Sequence, residues 1–178
     1  MSDGLIAPRL QADCPDLTLH PAAAADAAFL DRVYLCVRLD ELAVTDWDDA
    51  RKHDFLLSQA ALQRAHYERH YPGAEFLVIR RGDQAIGRLF LYRHTGEIRL
   101  MDIGLLPEWR GRGIGTRLVA SLLRIAGAES CDVTLHVEPD NPARRLYDRF
   151  GFRLIEDRGV YLFYGWSADA PAQLNTTS

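Results

Sequence analysis

The residues from Asp102 to Thr116, DIGLLPEWRGRGIGT, carry the strongest chemical signal in the chain. An apolar, strand-like run ends at Leu105-Leu106-Pro107, and a glycine-rich turn holding Gly111, Gly113 and Gly115 opens a helical pattern. Missing side chains leave the backbone bare, so several N–H groups can close on one anion. A helix start adds unpaired amides and the positive end of its dipole, which together favour phosphate. Arg110 and Arg112 flank the turn with positive charge. Glycine content alone would fit a plain tight turn equally well. Two rival phosphate motifs fail on their residues. No GxxxxGK[ST] string occurs, and a GxGxxG reading of Gly111 and Gly113 meets Thr116 where the third glycine belongs.

The charge pattern agrees with a local anion site. A net charge of −4 on 178 residues argues against a general nucleic-acid binder, yet the average hides a division. Residues 1–75 hold 13 acids and 7 bases, a net of −6, whereas residues 76–178 hold 12 acids and 14 bases, a net of +2. Within the second part, Trp109 to Ala126 contains Arg110, Arg112, Arg117 and Arg124 and no acid. Metal chemistry has no support. Cys14, Cys36 and Cys131 form no CxxC pair and read as buried or idle thiols, and His66 and His70 stand four apart without the glutamate of HExxH.

The elements around the turn can be read from periodicity. Hydrophobic residues at 48% and charged residues at 26% describe one globular domain, without the apolar run of about eighteen residues that a membrane span needs. No basic leader precedes an apolar stretch at the start, so the cytoplasm is the default expectation. The first sixteen residues and the tail 167–178 read as flexible ends around a domain at 17–166. Leu17 to His20 suits an edge strand ending at Pro21, and Asp26 suits the N-cap of a helix through Phe29, Leu30, Val33 and Val37. An acidic link from Asp40 leads to a longer helix, Asp49 to Tyr71, stopped by Pro72-Gly73. Three strands follow, Phe76–Arg80, Ala85–Tyr92 and Glu97–Leu105, joined by turn signals at Arg81-Gly82-Asp83-Gln84 and His94-Thr95-Gly96. Then come a helix, Gly115–Ala126, with Gly127 as its stop, and a strand, Cys131–Val137. A strand, a helix and a further strand in that order favour a right-handed crossover with the two strands parallel. Asn141-Pro142 opens another helix, Gly151 closes it, and Phe152–Ile155 and Val160–Tyr164 finish as strands.

Arg110-x-x-Gly113-x-Gly115 resembles the R/Q-x-x-G-x-G/A pyrophosphate motif of the GNAT superfamily of acyl-CoA-dependent N-acetyltransferases. The distal run from Asn141 to Phe152, NPARRLYDRFGF, is similar to that family's N…A..LY...GF segment. The resemblance implies a single α/β domain whose mixed, mostly antiparallel sheet has about six to seven strands, a splayed parallel pair and flanking helices. It also implies that acetyl-CoA, as acyl donor and without metal, wedges between the splayed strands. Backbone groups from Ile103 to Leu105 would then pair with the pantetheine arm, and Arg110, Gly111, Arg112, Gly113, Ile114, Gly115 and Thr116 would hold the pyrophosphate. Asn141 would contact the thiol-proximal half of the cofactor, and Tyr147 would aim its hydroxyl at the sulfur. The family's asparagine lies seven residues before the tyrosine; here Asp140 occupies that position and Asn141 lies six before, so either residue can fill the role.

Acetyl transfer to an amine needs a neutral amine, a positioned thioester, an oxyanion donor and a proton for the thiolate. By the resemblance a backbone N–H near Leu105 serves the oxyanion. Tyr147, a phenol of ordinary pKa about 10, is the candidate acid. Candidate bases are Asp102 and Glu138, with Glu97 and His136 as further polar strand residues and a water chain as the alternative. The acceptor is a small-molecule or protein amine, drawn to an acidic rim at Asp40, Glu41, Asp46, Asp48 and Asp49; neither nucleic acid nor membrane is expected, and a homodimer is left open. A non-catalytic acyl-CoA sensor that keeps the turn, and a structural module without CoA affinity, are the competing readings.

Overall fold

The computed structural model describes residues 4–169. Its elements run α1 (Ala7–Asp13), β1 (Thr18–Pro21), α2 (Ala27–Arg38), α3 (Asp49–His70), β2 (Glu75–Arg81), β3 (Gln84–His94), β4 (Glu97–Leu105), α4 (Ile114–Ala128), β5 (Asp132–Val137), α5 (Arg144–Arg149), β6 (Arg153–Asp157) and β7 (Leu162–Trp166). Seven strands form one sheet in the order β1-β2-β3-β4-β5-β7-β6. β4 and β5 are the parallel pair, and every other pairing is antiparallel. The expected meander and crossover are both present.

Strand alternation divides the side chains between two layers. Ile98 and Leu100 of β4 and Val133 and Leu135 of β5 point to one face, where they join Leu118, Leu122 and Ile125 of α4 in the main core. The opposite face of β3 and β4 lies under α2: a Cβ on Gly104 would come within 3.1 Å of Val37 and 3.2 Å of Val33. α3 packs behind α2, with Leu56 and Ala60 against Tyr34. Asp48 caps α3 by accepting the Arg51 N–H at 2.8 Å.

Two expectations need correction. Of the first sixteen residues, those described, 4–16, are not a loose end: Ile6, at the start of α1, and Leu10 within it are fully buried in the core, each contributing about 1.5–3 kcal/mol. The Glu75 carboxylate accepts the N–H groups of Ile6 and Ala7 and caps that helix. A seven-residue helix is too short for periodicity to reveal, so its core role was not legible. Gly127 does not stop α4, which continues to Ala128; the left-handed residue is Ser130, at φ 53°. The flexible tail expected from residue 167 lies mostly outside the described residues.

Candidate active site

β4 and β5 pair only from Glu97 with Asp132 to Leu100 with Leu135, and then part. The cause lies in β4. Its register with β3 slips after Leu91↔Leu100 and resumes at Phe90↔Asp102, so Met101 is an extra residue and a bulge turns the strand away. Beyond it β4 remains bonded to β3 but, among the described residues, has no strand on its other edge. The Leu106 N–H bonds back to Ile86 at 2.9 Å, so by alternation the amides and carbonyls of Ile103 and Leu105 face the open side. A Cβ on Gly87 would stand 2.4 Å from the Gly104 carbonyl, so only glycine allows β3 this close to the site.

The glycine turn sits at the end of this open strand. Gly111 and Gly113 adopt φ of 69° and 76°, backbone that disfavours side chains, and Gly113 is the N-cap of α4. No heavy atom lies within 4 Å of where a Cβ would stand on Gly111, Gly113 or Gly115. The amides of Ile114, Gly115 and Thr116, in the first turn of α4, have no intrahelical acceptor. An open cradle of free amides next to an open strand edge fits a pyrophosphate and an extended amide arm.

The arginines of the turn are placed differently from a phosphate-contacting set. Arg110 donates from Nε to the Leu105 carbonyl and from Nη2 to the Cys36 carbonyl, both at 3.0 Å. It therefore ties the turn to β4 and to α2. The Arg112 guanidinium lies over the Trp109 ring at 5.0 Å. Arg117 is bidentate to Asp16 at 2.7 and 2.8 Å, and Arg124 pairs with Asp13. The acid-free stretch in sequence is thus partly neutralised in space by acids from the N-terminal segment.

Asp102 lies just past the bulge of β4, Glu138 follows the end of β5, and Tyr147 on α5 is near enough to both for their charges to act on its phenol. Tyr147 is 6% exposed and packs edge-on against Phe152. Burial pushes its phenol well above the usual range, and the negative charges of Asp102 and Glu138 add to the rise. The phenol stays protonated throughout any working pH. Asp102 is tied to the buried Arg88, whose Nη2 also donates to Gln63 Oε1 at 3.3 Å. Glu138 is held from both sides: Oε1 forms an ion pair with Arg38, 2.9 Å from Nη1, and Oε2 accepts a hydrogen bond from Asn141 Nδ2 at 3.2 Å. Asn141 Oδ1 in turn accepts the Ala143 N–H at 2.9 Å in a turn ahead of the helix. α5 starts at Arg144 with Ala143 as its N-cap, two residues later than Asn141-Pro142 predicts, because the Asn141 side chain closes a local turn instead. No hydrogen bond of the Asp140 side chain occurs among the described residues.

The remaining candidate bases lie elsewhere. Glu97, at the closed end of the parallel pair, bonds Thr134 Oγ1 at 2.6 Å and Arg99 at 3.1 Å. His136 stacks on Phe163 and lies 2.9 Å from Arg158 Nη1. Of the acidic link, Glu41 reaches the site, 3.5 Å from Arg38; burial raises its carboxyl, Arg38 opposes that rise, and Glu138 adds to it.

Several site residues escaped the sequence reading. Arg88 and Arg38 hold the two carboxylates, and Tyr34 lies between their guanidinia at 5.3 and 5.1 Å. Tyr67 of α3 has a phenol raised by burial and by Asp102, against the opposing charges of Arg88 and Arg38. One signal was available: Arg88 is a lone charge inside the apolar run Ala85–Tyr92, and a buried guanidinium demands a counter-charge.

Known proteins share this arrangement. The family model described as "Acetyltransferase (GNAT) family" matches residues 36–152, a span containing the parallel pair, the glycine turn and α5. Mycothiol acetyltransferase of Corynebacterium glutamicum is 33% identical over 96 residues, 51% of this chain and 32% of that protein. Human cysteine-rich protein 2-binding protein is 46% identical over 50 residues, 28% of this chain and 6% of that protein. The chain thus spans a third or less of the length of these curated relatives. Among solved structures, the PaiA N-acetyltransferase of Thermoplasma acidophilum in complex with coenzyme A superposes with a TM-score of 0.65 at 16% identity, covering 85% of this chain and 98% of that one. The bulge-driven splay, the glycine cradle and the family match over most of the sequence lead to one assignment: the chain belongs to the GNAT acetyltransferase family.

Proposed function

We propose that this chain transfers the acetyl group of acetyl-CoA to a primary amine by direct attack, without a covalent enzyme intermediate. The observation that carries the reading is the open cradle at Gly111–Thr116 beside the splay, with Asp102 just past the bulge of β4, Glu138 just beyond β5 and Tyr147 on α5. When bound, acetyl-CoA supplies a thioester whose carbonyl carbon accepts the amine. Free amides of Ile114, Gly115 and Thr116 would hold the pyrophosphate, and the open edge of Ile103 and Leu105 would pair with the pantetheine arm as an added strand does. The outward N–H of Leu105 would donate to the oxyanion.

Both carboxylates face an arginine, but Glu138 is the better base because its pair with Arg38 is more open to solvent than the pair of Arg88 and Asp102, in which the guanidinium is almost fully buried. Glu138 takes the amine proton, directly or through a water, as the C–N bond forms. Tyr147 donates its proton to the departing sulfur as the C–S bond breaks, leaving an N-acetyl amine and the CoA thiol. The proton taken up by Glu138 returns through water to the Tyr147 phenolate, which restores both groups. Asp102 keeps the Arg88 charge compensated and stabilises protonated Tyr147. The cysteines fit the absence of a covalent step: Cys14 and Cys131 are buried, and Cys36 lies on α2 behind the Arg110 clamp. The acceptor is a small-molecule or protein amine.

A sensor that binds acyl-CoA without chemistry would need the cradle but no polar groups at the thioester end. The doubly held Glu138 favours the enzyme. Thiol release from acetyl-CoA with a panel of amines separates the two: N-acetyl product by mass supports transfer, and tight CoA binding with no product across the panel supports the sensor.

A further inference from the structure

Arg38 closes α2, and its side chain meets three partners. Nη1 lies 2.9 Å from Glu138 Oε1 and 3.5 Å from Glu41 Oε2, while the guanidinium covers the Tyr34 ring at 5.1 Å. The other oxygen of Glu138 accepts Asn141 Nδ2 at 3.2 Å, and Asn141 Oδ1 accepts the Ala143 N–H at 2.9 Å at the start of α5. A continuous polar chain therefore runs from α2, which rests on Gly104 of β4, to the residue just beyond β5 and into the helix that carries Tyr147. It bridges the two strands where they part.

We propose that Arg38 is a positioning residue that holds the Glu138 carboxylate in the orientation from which it takes the acceptor's proton. The inference rests on the acetyl-transfer reading above. A glutamate has three side-chain torsions, so a carboxylate at a strand end sweeps a wide arc unless both oxygens are anchored. Asn141 anchors one by a hydrogen bond; Arg38 holds the other as an ion pair, its Nη1 2.9 Å from Oε1. The guanidinium itself cannot swing freely. Its side chain is 20% exposed, Tyr34 lies under its face, and Glu41 stands on its other side. An ordinary surface pair contributes little to stability and would leave turnover untouched, which makes the two roles separable.

A double-mutant cycle on the full chain tests the proposal. Arg38→Ala is expected to lower kcat by about tenfold or more with KM for acetyl-CoA within about twofold, because the cradle is intact. Arg38→Lys, which keeps a point charge, should recover most of that loss. In a Glu138→Gln background, Arg38→Ala should change kcat by less than about twofold, since there is no longer a base to position. An equally large effect in both backgrounds overturns the proposal. So does an unchanged kcat in Arg38→Ala, or a loss that matches a drop in folded protein by circular dichroism and that Arg38→Lys does not recover. Wild-type protein that acetylates no amine defeats the underlying reading before any variant is made, and the proposal with it.

Discussion

Arg110 Nε donates to the Leu105 carbonyl across the end of β4, and its Nη2 holds the Cys36 carbonyl of α2. The residue that heads the pyrophosphate motif in sequence thus acts first as a clamp, fixing the approach of the glycine turn to the open strand. This separates a positional role from a charge role. Arg110→Ala should weaken CoA binding by about tenfold through loss of turn geometry. The dependence of that binding on salt should keep its wild-type slope, because the guanidinium is spent on two carbonyls. A clearly shallower slope in titrations at several salt concentrations would show that Arg110 meets phosphate directly.

Gly115→Val separates the cradle from the fold. Gly115 is helical and has open space at its Cβ position, which meets no atom beyond its own helix backbone and chain neighbours. Replacing glycine within a helix does not cost stability on propensity grounds, the scale favouring other residues by a few tenths to about 1 kcal/mol. The unliganded melting temperature should hold or rise slightly while the thermal shift with CoA disappears. A retained CoA shift would place the pyrophosphate elsewhere.

The buried pair of Arg88 and Asp102 should behave asymmetrically. Asp102→Ala leaves a guanidinium that is almost fully buried without its charge partner, and should cost about 3–5 kcal/mol in denaturant unfolding. Arg88→Met combined with Asp102→Leu removes both charges and should restore much of that loss. Equal destabilisation by the single and double variants would mean that packing, and not charge compensation, dominates.

His136 gives the fold a pH dependence of known sign. Burial lowers its pKa, and the charges of Arg99 and Arg158 lower it further. The neutral ring is the form that accepts from Arg158. The contribution is therefore complete above the unfolded value of about 6.5 and is lost as pH falls from there through the lower folded value. His136→Gln should flatten the decline in the denaturation midpoint between about pH 7 and 5 relative to wild type. An unchanged slope would assign that decline to the carboxylates.

The β4 edge and the glycine turn could be read in sequence because their signals are local. Alternating apolar residues lead into Pro107, and Gly111 and Gly113 stand where the backbone takes positive φ. The parallel pair followed from element order alone. The bulge at Met101 left no such mark, since a methionine in a strand resembles its neighbours, and the splay that it causes was available only by resemblance. The anchoring of the carboxylates was equally invisible. Arg38 and Glu138 are a hundred residues apart, and only the packing of α2 over β4 brings them together. The N-terminal acids show the same limit: Asp13 and Asp16 neutralise Arg124 and Arg117 across the whole chain, so a charge count over a linear window overstated the positive field.

The central claim is that acetyl transfer occurs at the mouth of the splay, with Tyr147 serving the sulfur. Single-turnover transfer from saturating acetyl-CoA to an amine substrate, compared between wild type and Tyr147→Phe, tests it most directly. Phenylalanine keeps the ring that packs on Phe152 and removes the one O–H. The account predicts a rate lower by about 10²–10³-fold with CoA affinity unchanged. A Tyr147→Phe enzyme that transfers acetyl at the wild-type rate would contradict it.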